Sequence, residues 1–598
     1  MMGEPGVAQH RSGRAARLSV AALAVAMLAS ASIAWPALGQ RARSAPEAAS
    51  GLQAKALAVA ERHMVSAANP HAAAAGLQIL RAGGSATDAA IATALVLNLV
   101  EPQSSGIGGG AFIVHFARET RAVTTYDGRE TAPAAARPDR FLRDDQPMPF
   151  PTAVKSGLSV GVPGLVRLME HAHGKHGRLP WRDLFAPAIR LAREGFEVSP
   201  RLHLLLSWYG AESFAPSARG YFFTRNGAPW PVGHRLTNPE LADTFEAIAE
   251  HGADAFYTGS IAERIVAAVR SAPNAAGDMT GEDLAGYRVV ERPPVCFGYR
   301  GRSVCGMGPP SSGALTLGQT LGLLAPFEEI EDRQWAMRAP ALHLLAESQR
   351  LAYADRDRYI ADPDFVAIPR GMLDEAYLAR RRAAIARERA MARPQAGEPP
   401  GASEPSGHDA TIERGGTTHL SVVDGEGNAV AMTATIEGAF GSGLWAAGFL
   451  LNNELTDFSF RPRDAQGRAI ANRVEGGKRP RSSMAPTIVL DRDGDMEIVL
   501  GSPGGNRIIL YVAKALVAML DWGMDAREAA ALLNLGNRGA AFEIEIAGEA
   551  IWPALAMKAR GHTIAPDLMT SGLHIIARRD GRLEGSADPR REGVALGD

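Results

Sequence analysis

The segment at residues 415–419, Gly-Gly-Thr-Thr-His, contains the residues best suited to nucleophilic chemistry. If the peptide bond before Thr417 is cut, Thr417 carries both a hydroxyl and a free α-amine. The reference pKa of an α-amine is about 8, close enough to neutrality for this group to act as a base. One residue then supplies both nucleophile and base for acyl transfer. Taken alone, however, these residues fit an ordinary strand start better.

The two cysteines of the chain, Cys296 and Cys305, are too few for a disulfide scaffold or a four-cysteine zinc site. Short β-prone runs flank Arg300-Gly301 and predict a hairpin with a two-residue turn. Counting outward from that turn pairs the cysteines at a non-hydrogen-bonded position, where strands approach most closely. In an oxidising compartment we expect a disulfide. The alternatives are two unlinked small hydrophobic residues and, least favoured, a catalytic cysteine.

Two patterns resemble known sites but fit them poorly. The glycines of Gly106–Ala111 match a dinucleotide-binding turn, yet they follow a helical pattern and precede a strand pattern, the reverse of the order that this turn needs. Three histidines, His171, His173 and His176, crowd one predicted helix end. A metal site is one interpretation, and a solvated cationic helix end is the favoured one.

An acidic run at Asp491, Asp493 and Asp495 resembles the start of a calcium-binding loop. The twelfth position of that loop requires glutamate, and Ser502 stands there. The run is therefore interpreted as a turn. The sequence predicts neither a metal nor a cofactor.

A β-hairpin must position Thr417. Strand patterns at residues 419–424 and 429–436 flank a Gly-Glu-Gly-Asn turn at 425–428, and a second hairpin is predicted from 487–490 to 498–500. Residues 394–416, just before Thr417, are rich in proline, glycine, glutamate and serine, a composition typical of flexible linkers. A flexible segment that leads directly into a hairpin is the clearest discontinuity in the chain.

Helical patterns account for most of the remaining chain. A capping-box pattern, Ser85-Ala86-Thr87-Asp88, predicts the start of a helix that ends near Val100. The other predicted elements are a helix from Asn69-Pro70 to Arg81, strands at 111–116 and 122–126, and largely helical stretches at 160–290 and 339–385.

Composition argues for a folded protein that does not bind nucleic acid. Hydrophobic residues make up 46% and charged residues 21% of the 598 residues, which is close to globular averages. The 63 Lys and Arg against 65 Asp and Glu give a net charge of -2. Counterion release from a phosphate backbone needs a basic excess that this chain lacks.

The N-terminus has the layout of a secretory leader. Three arginines precede an apolar run at residues 18–34, and Ala37-x-Gly39 has the spacing of a cleavage site. The alternative is an uncleaved membrane anchor, for which a run of 17 residues is at the lower edge of spanning length. We expect residues 1–39 to be a signal peptide and the protein to be exported, either periplasmic or secreted.

Across essentially the whole exported chain, the sequence resembles the γ-glutamyltransferase family (glutathione hydrolase proenzymes), which are N-terminal-nucleophile hydrolases. Many separate blocks match in the same order, which makes chance similarity very improbable. The blocks are Gly83–Ala90, Gly106–Gly110, Gly128–Pro133, Pro309–Gly313, Tyr353–Arg356, Thr417–Val422, Leu451–Phe458, Lys478–Pro480 with Ser482-Ser483, and Gly501–Gly505.

The resemblance implies an α+β fold, a four-layer αββα sandwich in which helices flank two stacked, mainly antiparallel sheets. It also implies a proenzyme that cuts its own Gly416–Thr417 bond. Thr417 would attack the preceding carbonyl, form an ester by an N-to-O shift and release it with water. The products would be a large subunit, residues 40–416, and a small subunit, residues 417–598, which remain together as a heterodimer in one catalytic domain.

The resemblance assigns a role to each site residue of the processed enzyme. Thr417 would be the nucleophile and, through its amine, the base, with Thr435 on the next strand orienting it. The remaining roles are backbone N–H donors to the oxyanion (Gly504, Gly505), groups that hold the substrate's α-carboxylate (Arg129, Ser482, Ser483) and groups that hold its α-ammonium (Glu454, Asp457). The last two residues lie on one side only if their stretch turns helically.

Two positions depart from the pattern of many family members. Glu437 stands where many members have asparagine and would add a third anion around the ammonium. The segment 458–481, which forms a lid in some members, contains no tyrosine. The contact that a lid tyrosine makes in those members is therefore absent. We expect a more open donor pocket and a weaker preference for transfer over hydrolysis.

The function that follows is hydrolysis and transfer of γ-glutamyl groups from donors such as glutathione to water, amino acids or peptides. The nearest alternative is a cephalosporin acylase that acts on glutaryl side chains. Glutaryl lacks the α-amine, so Glu437, Glu454 and Asp457 would face no cation and would repel its carboxylate. A further alternative is a processed but inactive protein that binds γ-glutamyl peptides.

Overall fold

The computed structural model describes residues 52–402, 406–411, 413 and 415–598. The predicted signal peptide, residues 1–39, lies outside this part of the chain. Among the described helices, none combines the length and the apolar character needed to cross a bilayer.

Two seven-stranded sheets, each antiparallel between all its neighbours, form the centre of the fold. In spatial order, the first sheet contains β23 (Val594–Gly597), β2 (Met64–Ala67), β12 (Thr417–Val423), β13 (Ala429–Thr435), β3 (Gly110–Ala117), β4 (Ala122–Gly128) and β9 (Val290–Arg292). The second contains β1 (Ala58–Ala60), β22 (Arg582–Ala587), β21 (His574–Arg579), β17 (Met496–Gly501), β16 (Thr487–Leu490), β11 (Arg302–Gly306) and β10 (Val295–Tyr299).

Helices and short strands surround these sheets. The helices are α1 (Pro70–Arg81), α2 (Ala86–Val100), α3 (Phe150–Val154), α4 (Leu165–His176), α5 (Ala186–Glu194), α6 (Pro200–Tyr209), α7 (Pro216–Phe222), α8 (Pro239–His251), α9 (Asp254–Tyr257), α10 (Gly259–Arg270), α11 (Gly281–Ala285), α12 (Gly313–Leu324), α13 (Ala339–Tyr359), α14 (Glu375–Arg382), α15 (Ile508–Leu520), α16 (Ala526–Ala531) and α17 (Ile551–Ala559). The short strands are β5 (Leu142–Arg143), β6 (Gln146–Pro147), β7 (Phe196–Glu197), β8 (Arg235–Leu236), β14 (Trp445–Ala446), β15 (Phe449–Leu450), β18 (Leu535–Asn537), β19 (Phe542–Glu545) and β20 (Ile564–Asp567).

The side-chain alternation of the strands explains the layers. On β3, Ile113 belongs to the hydrophobic core that contains α1 and α2, whereas Phe112 and Val114 belong to the core between the sheets. Successive strand residues point to opposite faces, so a strand that is apolar throughout is buried on both sides. Strands β12 and β13 contact β17 and β21 of the other sheet, and α12, α15 and α16 cover that sheet's outer face. The predicted αββα arrangement is confirmed.

Local signals placed several element boundaries correctly. Helix α1 begins after Asn69, whose side chain accepts a hydrogen bond from the backbone N–H of His71. Helix α2 begins with the predicted capping box between Ser85 and Asp88. Both predicted hairpins form, and a turn separates β16 from β17 at the acidic run. In that turn Asp495 pairs with two arginines.

The cysteine hairpin has the register counted from its turn. Strands β10 and β11 pair Cys296 with Cys305 and Tyr299 with Arg302. The Cα atoms of the cysteines lie 4.1 Å apart, and a disulfide joins them. Strand β10 is the edge strand of its sheet, so the disulfide ties this edge to its neighbour.

Part of the predicted flexible linker contacts the rest of the fold where the structure describes it. The backbone N–H of Gly407 donates to the Ala469 carbonyl at 2.9 Å, which places this segment beside the predicted lid. The side chains of Asp409 and Glu413 are buried. Ion pairs join both carboxylates to arginines that are distant in the sequence.

Candidate active site

The β12–β13 hairpin places Thr417 directly opposite Thr435. The Thr435 hydroxyl donates to the carbonyl oxygen of Gly416 at 2.7 Å and accepts from the backbone N–H of Glu437 at 2.7 Å. The predicted cleavage site thus has a hydroxyl hydrogen-bonded to its carbonyl. Only glycine fits at position 416, since an added Cβ would lie 1.8 Å from the carbonyl oxygen of Glu437.

Residues Glu454–Asp457 form a single 3₁₀ turn, which brings the carboxylates at its two ends to one side. This is the helical turn on which the predicted pairing of these residues depends. Both contact the guanidinium of Arg129, which lies just after β4. The Arg129 group donates to Glu454 and, at 2.6 Å, to Asp457. The residue predicted to hold a substrate carboxylate and the two predicted to hold an ammonium are therefore paired with one another.

This cluster carries more negative than positive groups. Glu130 is fully buried beside Arg129 and Glu454. Burial, followed by repulsion from Glu454, raises the pKa of Glu130 well above its ordinary value. Burial also raises the pKa of Glu454 and, more strongly, that of Asp457, with Arg129 opposing both shifts. Oδ1 of Asp457 has no hydrogen-bond partner among the described residues. These shifts have one physical cause, the burial of three carboxyl groups around a single guanidinium.

Glu437 lines the same pocket as Glu454 and Asp457 and lies two residues after the end of β13. Its backbone has a φ of 70°, in the left-handed region that non-glycine residues seldom adopt. The side-chain amide of Asn453 donates to its carboxylate. The structure therefore adds this carboxylate to the wall of the pocket that contains Thr417.

The serine pair takes two different positions. The Ser482 side chain bonds to the local backbone: its Oγ accepts from the N–H of Met484 at 3.1 Å. The hydroxyl of Ser483 instead donates to the carboxylate of Glu413 at 2.5 Å. The same carboxylate accepts from Arg356 and Arg481. Ser483, which is predicted to bind a substrate carboxylate, therefore binds the carboxylate of Glu413 in this structure.

The glycine pair lies between β17 and the first turn that leads into α15. Gly504 and Gly505 have φ values of 142° and 56°, both favourable to glycine. A Cβ at Gly504 would meet Cε2 of Tyr511 at 2.6 Å. Gly505 lines the pocket with Thr417, and its position before a helix suits a backbone N–H donor to an anion.

One small pocket brings most of the predicted site together. Its lining residues are Arg129, Glu413, Thr417, Thr435, Glu437, Glu454, Asp457, Ser482, Ser483, Met484, Gly505 and Ile508. Of the residues predicted to act in catalysis or substrate binding, Gly504 alone lies outside this lining, one position before Gly505.

Sequence reasoning missed the residues that bind Glu413, and Glu413 itself. Arg356 belongs to the matched block Tyr353–Arg356, to which the resemblance assigns no role, and Arg481 lies between two other matched blocks. The signal that could have revealed Glu413 is its place four residues before the nucleophile.

The three crowded histidines do not share a ligand position. His171 contacts Glu291, His173 contacts the Leu179 carbonyl, and His176 contacts the Tyr126 hydroxyl. Each ring thus bonds to a different partner, and burial lowers the pKa of His176, which weakens the positive charge predicted for this helix end.

The comparisons with known proteins identify the family. The layered α+β fold, with a threonine at the start of a strand in a pocket rich in acidic residues, is that of the N-terminal-nucleophile hydrolases. The model of the gamma-glutamyltranspeptidase family matches residues 72–598, and the chain belongs to this family of enzymes. It is 36% identical over 541 residues to a glutathione hydrolase proenzyme of Escherichia coli (strain K12), covering 89% of this chain and 91% of that protein.

Two solved structures give the same result at the level of the fold. A cephalosporin acylase from Bacillus halodurans matches with a TM-score of 0.79 and 27% identity, covering 91% of this chain and 97% of the other. A Helicobacter pylori gamma-glutamyltranspeptidase matches with a TM-score of 0.51 and 33% identity, covering 54% of this chain and 92% of the other.

Proposed function

We propose that this protein is a self-processing γ-glutamyltransferase and glutathione hydrolase. It cleaves the γ-glutamyl amide of glutathione and related donors and passes the acyl group to water, amino acids or peptides. The observation that carries the proposal is the acidic cluster beside Thr417. Family membership supports the same activity. The Escherichia coli relative, which matches this chain over about nine-tenths of both sequences, is a glutathione hydrolase proenzyme.

The charges of the cluster favour a donor with an α-ammonium. Glu130, Glu454 and Asp457 lie around one guanidinium, that of Arg129. Burial raises the pKa of all three, and repulsion from Glu454 adds to the shifts of the other two. A substrate ammonium would supply a second positive charge, which favours the ionised form of these acids. A γ-glutamyl group carries this ammonium, and a glutaryl group does not.

Self-processing begins at the Gly416–Thr417 bond. The Thr417 hydroxyl attacks the Gly416 carbonyl carbon, and the Thr435 hydroxyl stabilises the negative charge on the carbonyl oxygen. The C–N bond breaks as the amine of Thr417 takes the proton that its own hydroxyl has lost, which leaves an ester. Water then hydrolyses the ester to a Gly416 carboxylate and the free Thr417. The large subunit is residues 40–416 and the small subunit residues 417–598.

In the processed enzyme the Thr417 hydroxyl attacks the γ-carbonyl of the donor. The α-amine of Thr417 takes the hydroxyl proton and passes it to the leaving amine as the γ-glutamyl ester forms. Backbone N–H groups of Gly504 and Gly505 stabilise the oxyanion, a contribution of roughly 3 kcal/mol for one donor. Water or an acceptor amine then attacks the ester and regenerates the hydroxyl.

Export fits the same proposal. Residues 1–39 would be removed as a signal peptide, and the protein would act in the periplasm or outside the cell. The Cys296–Cys305 disulfide supports an oxidising compartment.

Three anilide substrates test the proposed donor. γ-Glutamyl-p-nitroanilide has both charged groups, glutaryl-p-nitroanilide lacks the ammonium, and 4-aminobutyryl-p-nitroanilide lacks the carboxylate. We expect the γ-glutamyl substrate to react fastest, and Asp457→Asn to reduce its turnover more than that of the glutaryl compound. Faster glutaryl turnover by the unaltered enzyme would favour the cephalosporin acylase instead.

A denaturing gel with N-terminal sequencing tests the processing step. Two fragments are expected, the smaller one beginning at Thr417, and the Thr417→Ala variant should remain a single chain. Processing without turnover of any of the three anilides would favour the inactive binding protein.

A further inference from the structure

Two histidines and a glutamate form a buried cluster outside the site of Thr417. His343 and Glu347 lie one turn apart on α13, and His562 lies between α17 and β20. All three side chains are buried, and their donor atoms lie within 4.8 Å of one another. Among the described residues, this is the one group of three potential metal ligands. None of the three lines the pocket of Thr417, so the proposed reaction does not use them.

The hydrogen bonds of His343 leave a nitrogen lone pair directed into the cluster. Its Nε2 lies 2.7 Å from the Ala386 carbonyl oxygen, which can only accept, so Nε2 carries the ring proton. Nδ1 of the neutral ring then has a lone pair, and it lies 2.8 Å from Nε2 of His562. A histidine that binds a metal is usually held in this way, with its second ring nitrogen donating to a carbonyl or a carboxylate.

The carboxylate of Glu347 is also oriented by its neighbours. Its Oε2 accepts from the backbone N–H of Met391 at 2.8 Å, and its Oε1 accepts from Arg350 at 2.8 Å. Oε1 lies 3.9 Å from Nδ1 of His562. Carboxylates that bind metals are themselves hydrogen-bonded. Since each carboxylate oxygen has two lone pairs, Oε1 can bind an ion and keep its bond to Arg350.

The cluster has the composition and the dimensions of a zinc site with three protein ligands. Two imidazoles and one carboxylate are an established ligand set for Zn²⁺. Bonds of about 2.0–2.2 Å in a tetrahedral arrangement place the ligand atoms roughly 3.3–3.6 Å apart. The donor atoms here are separated by 2.8 Å at the histidine pair and by no more than 4.8 Å elsewhere. Shifts of about 1 Å would therefore bring all three to one ion.

The cluster joins the two predicted subunits. His343 and Glu347 belong to the large subunit, and His562 belongs to the small one. An ion bound to all three would connect the fragments through coordinate bonds after the chain is cut before Thr417. Arg350 lines a cavity of about 1030 Å³, so an ion can reach the ligands from this cavity when the Arg350 side chain moves.

We infer that His343, Glu347 and His562 bind one divalent transition-metal ion, such as Zn²⁺, with its fourth position left to water, and that this ion links the two subunits. The inference goes beyond the proposed function, because neither the γ-glutamyl pocket nor the cleavage step requires the ion. Only the linking role depends on cleavage at Thr417.

A zinc titration of the untagged enzyme, first stripped with a chelator, tests the site. Isothermal titration calorimetry should give one Zn²⁺ per chain, and His562→Gln should weaken binding at least about tenfold. His171→Gln, which removes a histidine from the crowded end of α4, is the matched control and should leave binding unchanged. The X-ray absorption spectrum of the bound zinc should show two imidazole ligands.

Absence of binding by the unaltered protein, or equal binding by His562→Gln, would overturn the inference. Loss of binding in His171→Gln instead would place the zinc at α4, which also refutes it. If His562→Gln does not fold, the X-ray absorption spectrum of the unaltered protein decides, because zinc ligands other than two imidazoles contradict the site.

The linking role is tested by separating the fragments in urea. Zn²⁺ should raise the urea concentration at which the two fragments part on size-exclusion chromatography, in the unaltered enzyme but not in His562→Gln. Zinc binding without this shift would refute the linking role. A chain that stays uncleaved would refute the proposed self-processing, whereas the zinc titration of that intact chain would still test the metal site.

Discussion

Replacing Thr435 with valine removes the hydroxyl that donates to the carbonyl of the cleavage site while keeping the shape of the side chain. Two hydrogen bonds of 2.7 Å disappear, one to the Gly416 oxygen and one from the Glu437 N–H. The first stabilises the charge that develops on the oxygen as Thr417 attacks. Loss of one such donor costs about 3 kcal/mol, which corresponds to a roughly 100-fold slower self-cleavage.

The second bond explains why serine is the correct control. Without a hydroxyl, the buried Glu437 N–H loses its acceptor. This loss should lower the free energy of unfolding by about 1–3 kcal/mol. Thr435→Ser keeps both bonds. The assay purifies each precursor soon after synthesis and follows conversion to two fragments on a denaturing gel. If Thr435→Val cleaves within threefold of Thr435→Ser, the hydroxyl does not stabilise the transition state and the reasoning fails.

Three further predictions concern the precursor and its stability. Gly416→Ala should abolish self-cleavage because its Cβ would collide with a backbone carbonyl at 1.8 Å, whereas Gly298→Ala, whose Cβ meets open space, should cleave normally on the same gel. In the uncleaved Thr417→Ala background, the ion pairs of Glu413 stabilise the precursor above pH 4.5 and are lost as the pH falls towards 2, because the folded pKa is depressed. A second change, Glu413→Gln, should therefore make unfolding less sensitive to acid over that interval, and an unchanged acid profile by circular dichroism would contradict this. Reducing the disulfide between β10 and β11, which spans nine residues, should lower the free energy of unfolding by about 2–3 kcal/mol in denaturant titrations without altering kcat/KM, because the bond lies in an edge hairpin.

Local sequence was sufficient wherever neighbours in the chain decide the structure. The capping box at Ser85, the cysteine register and the hairpin that begins at Thr417 all depend on spacing within a few residues, and each forms as predicted. The αββα fold followed from the resemblance, and the apolar character of β12 and β13 agrees with it because both are buried on two faces. The sequence predicts that Glu454 and Asp457 lie on one side only if their stretch turns helically. The structure has this turn.

The electrostatic partners were decided by the tertiary structure alone. Glu413 meets Arg356 and Arg481 across separations of 57 and 68 residues. Nothing in the local pattern of a proline-rich segment shows that a carboxylate within it will be buried, because the arginines arrive from α13 and from the segment before β16. The sequence determined which residue is equipped to be the nucleophile. Packing of the layers decided which charges surround it, since ion pairs depend on distance in space and not on distance along the chain.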